Sequence, residues 1–209
     1  MRDIIPYGKQ TISNDDINAV KKALKKDFLT TGPGVQLFEK EFSKKVYSRF
    51  GVSSNSGTSA IILALKAIDI KKNDIVVIPA INFIAAANIS KILGAKVFFS
   101  DVDKTSGQMT PKKFEQCVKK NKIKKIKVFF TMHNSGFNNY AKEFYKLKKK
   151  YKCYLIEDAC HALGAKNSNS KNDYVGNCKY SDLTTFSFHP LKTITTGEGG
   201  MTTTRKFNL

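Results

Sequence analysis

Apolar residues recur along this chain in two rhythms. Short, nearly continuous apolar runs fall at residues 51–53, 75–78, 96–100, 127–131, 153–157, 183–188 and 200–204. Runs of this kind, rich in Val, Ile and Phe and bounded by polar or turn residues, predict strands buried on both faces. Between them, apolar positions spaced three and four apart predict amphipathic helices over 59–68, 85–93, 111–119 and 140–151. Two helices precede the first strand. Ser13 is placed to cap one that runs through Asp16, Ile17, Val20 and Leu24, with acidic residues in its first turn. The run LTTGPG closes that unit as a loop, and a second helix carries Leu37, Phe38, Glu41 and Phe42. Alternation of strand and helix predicts an α/β domain in which a mostly parallel, seven-stranded sheet lies between helices. The last strand follows a Gly-rich turn and is the one open to an antiparallel setting. The polar segment 166–179 is the best candidate for a flexible excursion.

The long apolar stretch 75–99 raises a membrane span and then excludes it. Pro79, Asn82, Asn88, Lys91 and Lys96 interrupt it, which suits strand, turn, helix and strand. The opening MRDIIPYGKQ has no apolar h-region or cleavage site, so no export signal is read there and a cytoplasmic protein is expected.

Charge adds one question. The 209 residues include 36 Lys and Arg against 17 Asp and Glu, a formal net charge of +19. Such a balance suits nucleic acid, a membrane surface or anionic small molecules. The cations are mostly lysines strung along helical stretches, at Lys21, Lys22, Lys25 and Lys26 and within 119–127 and 146–152. Arginine, the better residue for bidentate phosphate contact, is rare. Solvated lysine faces are therefore favoured, and neither a nucleic-acid nor a membrane partner is expected. Hydrophobic residues make up 41% of the chain, enough for a core without metals or disulfides. Cys117, Cys153, Cys160 and Cys178 form no C-x-x-C pair and read as reduced thiols. A zinc site from Cys160, His161 and Cys178 is disfavoured by its spacing, and no metal is expected.

In a parallel sheet, ligands collect beyond the carboxyl ends of the strands. Four motifs sit there. In SNSGTSA, Gly57 and Thr58 open a helix, offering either a phosphate site or an ordinary Ser/Thr cap. In PAINFIAAA, Phe83 is either core packing or a platform for a planar ring. In YLIEDACHALGA, an apolar strand ends on Glu157 and Asp158. A carboxylate buried there needs a cationic partner, such as a protonated pyridine nitrogen; otherwise it caps the next turn. His161 either bonds a ring oxygen or is structural. In TTFSFHPLKTITTGEGG, Lys192 follows a buried strand and has uncharged neighbours, which favours a lysine's nucleophilic form. Ser187 can donate to a phosphate, and Gly197, Gly199 and Gly200 allow close backbone approach. DVDK at 101–104 reads as a structural turn.

Taken in order, IPYGKQ, FLTTGPG, SNSGTSA, IEDACHALGA and SFHPLKTITTGEGG resemble the DegT/DnrJ-type sugar aminotransferases, over essentially the whole chain. Within that family they look most like the subgroup that aminates UDP-4-keto-6-deoxy-N-acetylhexosamines in the pseudaminic acid branch. The resemblance implies the aspartate-aminotransferase-like fold, pyridoxal 5'-phosphate as cofactor, glutamate and a nucleotide-linked sugar as substrates, and a homodimer. It implies Lys192 as the Schiff-base lysine and Asp158 as the partner of the pyridine nitrogen. Gly57, Thr58 and Ser187 would then hold the phosphate, Phe83 would stack on the ring, and His161 would contact the ring hydroxyl, where relatives usually have Gln. Glu198 lies near the lysine with no assigned role. PLP-type sugar dehydratases of the same fold carry His in place of the lysine, so Lys192 argues against that activity. The run TMHNSGFNNY departs from the family pattern. The resemblance also divides the chain into an N-terminal arm and helix over 1–30 and a cofactor-binding large domain over 31–209, with the family's smaller C-terminal domain absent. The alternative reading is a truncated, non-catalytic fragment or partner subunit.

Overall fold

The computed structural model describes residues 10–168 and 170–209. The opening motif IPYGKQ, apart from Gln10, lies outside the described residues, as does most of the arm expected over 1–30. Helix α1, Asn14–Leu24, begins with a reciprocal cap: the Asp16 amide donates to Ser13 Oγ, and the Ser13 amide donates to Asp16 Oδ2 at 2.7 Å. Its stripe of Ile17, Val20 and Leu24 is exposed, and no residue of α1 is buried. Helix α2, Pro33–Val46, starts on a proline and ends where Tyr47 turns left-handed.

Seven five-residue strands follow: β1 Phe50–Ser54, β2 Ile75–Pro79, β3 Lys96–Ser100, β4 Val128–Met132, β5 Tyr154–Asp158, β6 Leu183–Ser187 and β7 Gly200–Thr204. They form one sheet in the order β1-β7-β6-β5-β4-β2-β3. β7 runs antiparallel to both its neighbours, and the other pairs are parallel. The architecture is the expected α/β fold with a mostly parallel sheet. Strands β4 and β5 sit one residue later than the apolar runs alone place them, which puts Asp158 inside the ladder, opposite Met132.

Alternate residues along each strand serve opposite faces. Val76, Ile78, Val128, Phe130 and Ile156 pack with Ile61, Ala64 and Leu65 of α3 (Gly57–Ala67) and Ala86 of α4 (Ala85–Ile92). Val77, Phe129 and Leu155 pack with Phe114 and Cys117 of α5 (Pro111–Lys120) and Phe144 and Leu147 of α6 (Ala141–Tyr151). A third cluster joins Phe42 and Val46 of α2 to Phe186, Phe188 and Met201. The motif DVDK is structural, as expected: Asp101 pairs with Lys113 at 2.6 Å, and Asp103 accepts from the Ser106 amide at 2.9 Å. Among the described residues, no helix is long and apolar enough to cross a membrane.

The polar segment 166–179, the candidate flexible excursion, is packed in part. Asp173 is buried and accepts from Ser168 Oγ at 2.6 Å and from Asn177 Nδ2 at 3.0 Å, while Val175 enters the third core cluster. The polar residues satisfy one another rather than solvent.

One glycine holds the start of β7 against the start of α3. A Cβ on Gly200 would lie 2.2 Å from the Ser56 carbonyl oxygen, a backbone atom that cannot move aside. Gly200→Ala should therefore destabilise the fold by about 1–3 kcal/mol, the usual cost of overpacking. Urea unfolding is the measurement; an unchanged midpoint would show that the β7 start yields freely.

Candidate active site

The carboxyl ends of β2, β4, β5 and β6 open onto one cavity of about 630 Å³. Gly57, Thr58, Phe83, Asp158, His161, Ser187 and Lys192, all seven residues singled out from sequence, line it. The volume suits a ligand of cofactor size.

One wall is the start of α3. Ser56 Oγ accepts from the Ser59 amide at 3.1 Å, and the Ser56 carbonyl accepts from the Ala60 amide. The first amides, of Gly57 and Thr58, have no intrahelical acceptor and carry the positive end of the helix dipole. A Cβ on Gly57 would come within 2.8 Å of Ser187 Cβ. Glycine is what lets the end of β6 and the start of α3 close together, so that a hydroxyl and two amides share one corner.

The adjacent carboxylates of β5 part company because a strand turns successive side chains to opposite faces. Glu157 is buried against Ser181 Oγ at 2.7 Å, Thr184 Oγ1 at 2.8 Å and His133 Nε2 at 3.4 Å. Burial works to raise its pKa, but His133 and the two hydroxyls outweigh burial and hold it below the ordinary value. Asp158 faces the cavity. It is 1% exposed, and its Oδ1 accepts from the Cys160 amide at 3.2 Å. The turn-capping role open to Asp158 from sequence is therefore present, alongside its cavity position.

The third wall brings Lys192 to His161. The Lys192 amide donates to the His189 carbonyl, closing a turn after β6, and Nζ lies 2.9 Å from His161 Nε2. His161 Nδ1 lies 3.2 Å from Asn134 Oδ1. Burial, then the Lys192 charge, lowers the His161 pKa, with Asp158 pulling the other way, so the imidazole is neutral near pH 7. Phe83 is 67% exposed, with its ring at the cavity rather than in the core.

Sequence reasoning did not single out Asn82, Asn134 or Cys160, which also line the cavity. Asn82 Oδ1 accepts from the Phe83 amide at 2.7 Å, and its buried Nδ2 has no partner among the described residues. The departure of TMHNSGFNNY from the family pattern was the one signal pointing to Asn134. The Cys160 thiol is pushed up, first by burial and then by Asp158, and does not present a thiolate. Cys178 instead packs against Thr184 Oγ1 and the Thr203 carbonyl, apart from the cavity wall that holds Cys160 and His161.

Comparison with known proteins follows the same lines. The chain is 40% identical over 197 residues to the UDP-4-amino-4,6-dideoxy-N-acetyl-beta-L-altrosamine transaminase of Campylobacter jejuni, covering 94% of this chain and 50% of that protein. A Streptococcus pneumoniae protein assigned as a sugar aminotransferase, in its PLP form, superposes with a TM-score of 0.85 at 25% identity, covering 98% of this chain and 54% of the other. Helicobacter pylori PseC, an aminotransferase involved in pseudaminic acid biosynthesis, superposes with a TM-score of 0.85 at 26% identity, covering 97% and 52%. The chain thus spans about half the length of the relatives it matches. The model of the DegT/DnrJ/EryC1/StrS aminotransferase family matches residues 10–209, and the chain belongs to that family.

Proposed function

We propose that this chain is the cofactor-binding part of a pyridoxal-phosphate-dependent sugar aminotransferase, which moves an amino group from glutamate to the C4 ketone of a nucleotide-linked 4-keto-6-deoxy sugar. The observation that carries this reading is the convergence of an amine, Lys192, and a buried carboxylate, Asp158, on one cavity that also holds a free helix N-terminus.

The residues fit the cofactor on their own chemistry. The Gly57 and Thr58 amides with Ser187 suit a phosphate. Asp158, at 1% exposure, needs a cation, which a protonated pyridine nitrogen supplies. Phe83 offers a ring face, His161 a partner for the ring hydroxyl, and Lys192 the amine for covalent attachment. The Asn82 Nδ2 is a donor with no acceptor among the described residues, which suits a ligand oxygen at this wall. When bound, pyridoxal phosphate supplies an electron sink for the amino-acid α-carbon. Asp158 keeps the ring nitrogen protonated, and Lys192 Nζ takes and returns the proton that moves during transfer.

The sugar follows the Campylobacter jejuni relative, a transaminase of a UDP-linked N-acetyl-altrosamine, and the pseudaminic acid setting follows Helicobacter pylori PseC. The same reading places the protein in the cytoplasm, with 1–30 as arm and helix and 31–209 as the large domain. It also makes the protein a homodimer, and the uncovered apolar stripe of α1 supports an association of that kind.

Borohydride reduction in the presence of pyridoxal phosphate, followed by peptide mapping, tests the cofactor. One stable adduct at Lys192 is expected. Labelling scattered over the surface lysines would overturn the assignment. Glutamate-dependent amination of UDP-linked but not GDP-linked 4-keto sugars tests the substrate.

A further inference from the structure

We propose that Asn134 is a positioning residue that fixes the tautomer of His161, so that His161 Nε2 is the proton acceptor for the Lys192 ammonium. The inference rests on the reading of Lys192 as the reactive amine.

An ammonium has three donors and no acceptor. Its 2.9 Å contact with His161 therefore requires a lone pair on Nε2. A neutral imidazole then carries its proton on Nδ1, and the atom 3.2 Å away must accept it. Asn134 Oδ1 does so. Without that acceptor the Nε2–H tautomer becomes accessible, setting a donor against a donor.

The Asn134 backbone is held in place from several sides. Asn134 sits in a short 3-10 turn, Asn134–Gly136, where Ser135 and Gly136 both have positive φ. The Asn134 carbonyl accepts from Nε2 of the buried Gln108 at 3.1 Å. The preceding residue, His133, is tied to β5 through its amide, which donates to the Asp158 carbonyl at 3.1 Å, and its Nε2 lies 3.4 Å from Glu157 without a hydrogen bond. A Cβ on Gly136 would lie 3.3 Å from the His161 carbonyl oxygen, so the turn also closes onto the His161 backbone. The buried pair under the sheet thus carries the turn that aims at the cavity, which gives Glu157 and His133 a purpose beyond packing.

The proton transfer balances without rearrangement. An N–H bond of Lys192 breaks as one forms on His161 Nε2, leaving a neutral amine and an imidazolium. Nδ1–H continues to donate to Asn134 Oδ1, and Nε2–H donates to the amine lone pair. Burial and the Lys192 charge oppose the imidazolium and Asp158 favours it; the Lys192 opposition is removed by the transfer itself. Asn134 accepts in both states, whereas a carboxylate there would bias the ring toward the charged one. The lowered pKa of His161 is consistent with a neutral starting ring.

The test uses the chain without cofactor, with 15N-labelled histidine and long-range proton–nitrogen NMR. There are only three histidines, and His161→Gln assigns the one of interest. Wild type is expected to show His161 as the Nδ1–H tautomer at neutral pH. Asn134→Leu, similar in volume but without an acceptor, should shift the tautomer ratio at least about fivefold toward Nε2–H, the effect of losing one hydrogen bond. Asn134→Asp should retain Nδ1–H. A wild-type Nε2–H tautomer, or an unchanged ratio in Asn134→Leu, would overturn the proposal. Should Asn134→Leu fail to fold, the wild-type spectrum still decides. Failure of borohydride labelling at Lys192 would defeat the functional reading while leaving the tautomer result standing, so the two are told apart.

Discussion

Replacing Lys192 with alanine should abolish the borohydride-stable adduct and lower amino transfer by a factor on the order of 10²–10⁴, the range for removing a positioned proton carrier. Lys192 is the only lysine lining the cavity among the described residues, so no neighbour is placed to replace it. Its removal should cost little stability, within about 0.5 kcal/mol, because the side chain is only half-buried and its polar contact is to His161 alone. The measurement pairs adduct mapping with thermal unfolding, so that a lost adduct in a folded protein is not mistaken for a lost fold. Lys192→Arg sharpens the result. It keeps a positive charge beside His161 but cannot be deprotonated, and it should be as inactive as alanine. A Lys192→Ala protein that still forms the adduct and still transfers the amino group would remove the centre of the functional reading.

The sheet was legible because its central strands are buried on both faces. Val76 and Ile78 meet one helical layer and Val77 the other, and such runs stand out from the amphipathic helices between them. Helix α1 was legible through the Ser13 cap, and its apolar stripe was correctly located although nothing described here covers it. Strand ends were less certain, and a shift of one residue decides which of two adjacent carboxylates faces the ligand. Sequence order alone did not separate Glu157 from Asp158; the pleat did, by turning one toward His133 and the other toward the cavity. Polarity in the loop 166–179 hides its packed part, where Asp173 collects its donors locally. Asn82 and Asn134 were invisible for another reason. An asparagine in a loop is usually a turn former, and only the three-dimensional structure reveals an unpartnered Nδ2 or a neighbouring imidazole.

Asp158→Asn is the change that should separate chemistry from architecture most sharply. Asparagine keeps the shape and the oxygen that accepts from the Cys160 amide, and it removes only the charge. A buried carboxylate has lost most of its hydration, and without cofactor that loss is offset by one backbone amide. Neutralising it should therefore leave the cofactor-free protein as stable as wild type or slightly more so. With pyridoxal phosphate present the order should reverse. The charge that holds the ring nitrogen protonated is gone, so the added thermal stability from saturating cofactor should shrink with the weakened affinity. Amino transfer should fall about 10²–10³-fold, as when a preorganised electrostatic partner is removed from an active site. Glu157→Gln supplies the contrast. It breaks the contact with His133 beneath the sheet, and it should lower the unfolding temperature of the cofactor-free protein while sparing the adduct at Lys192. If Asp158→Asn instead kept cofactor stabilisation and amino transfer within about threefold of wild type, its carboxylate would be a cap for the Cys160 turn and nothing more.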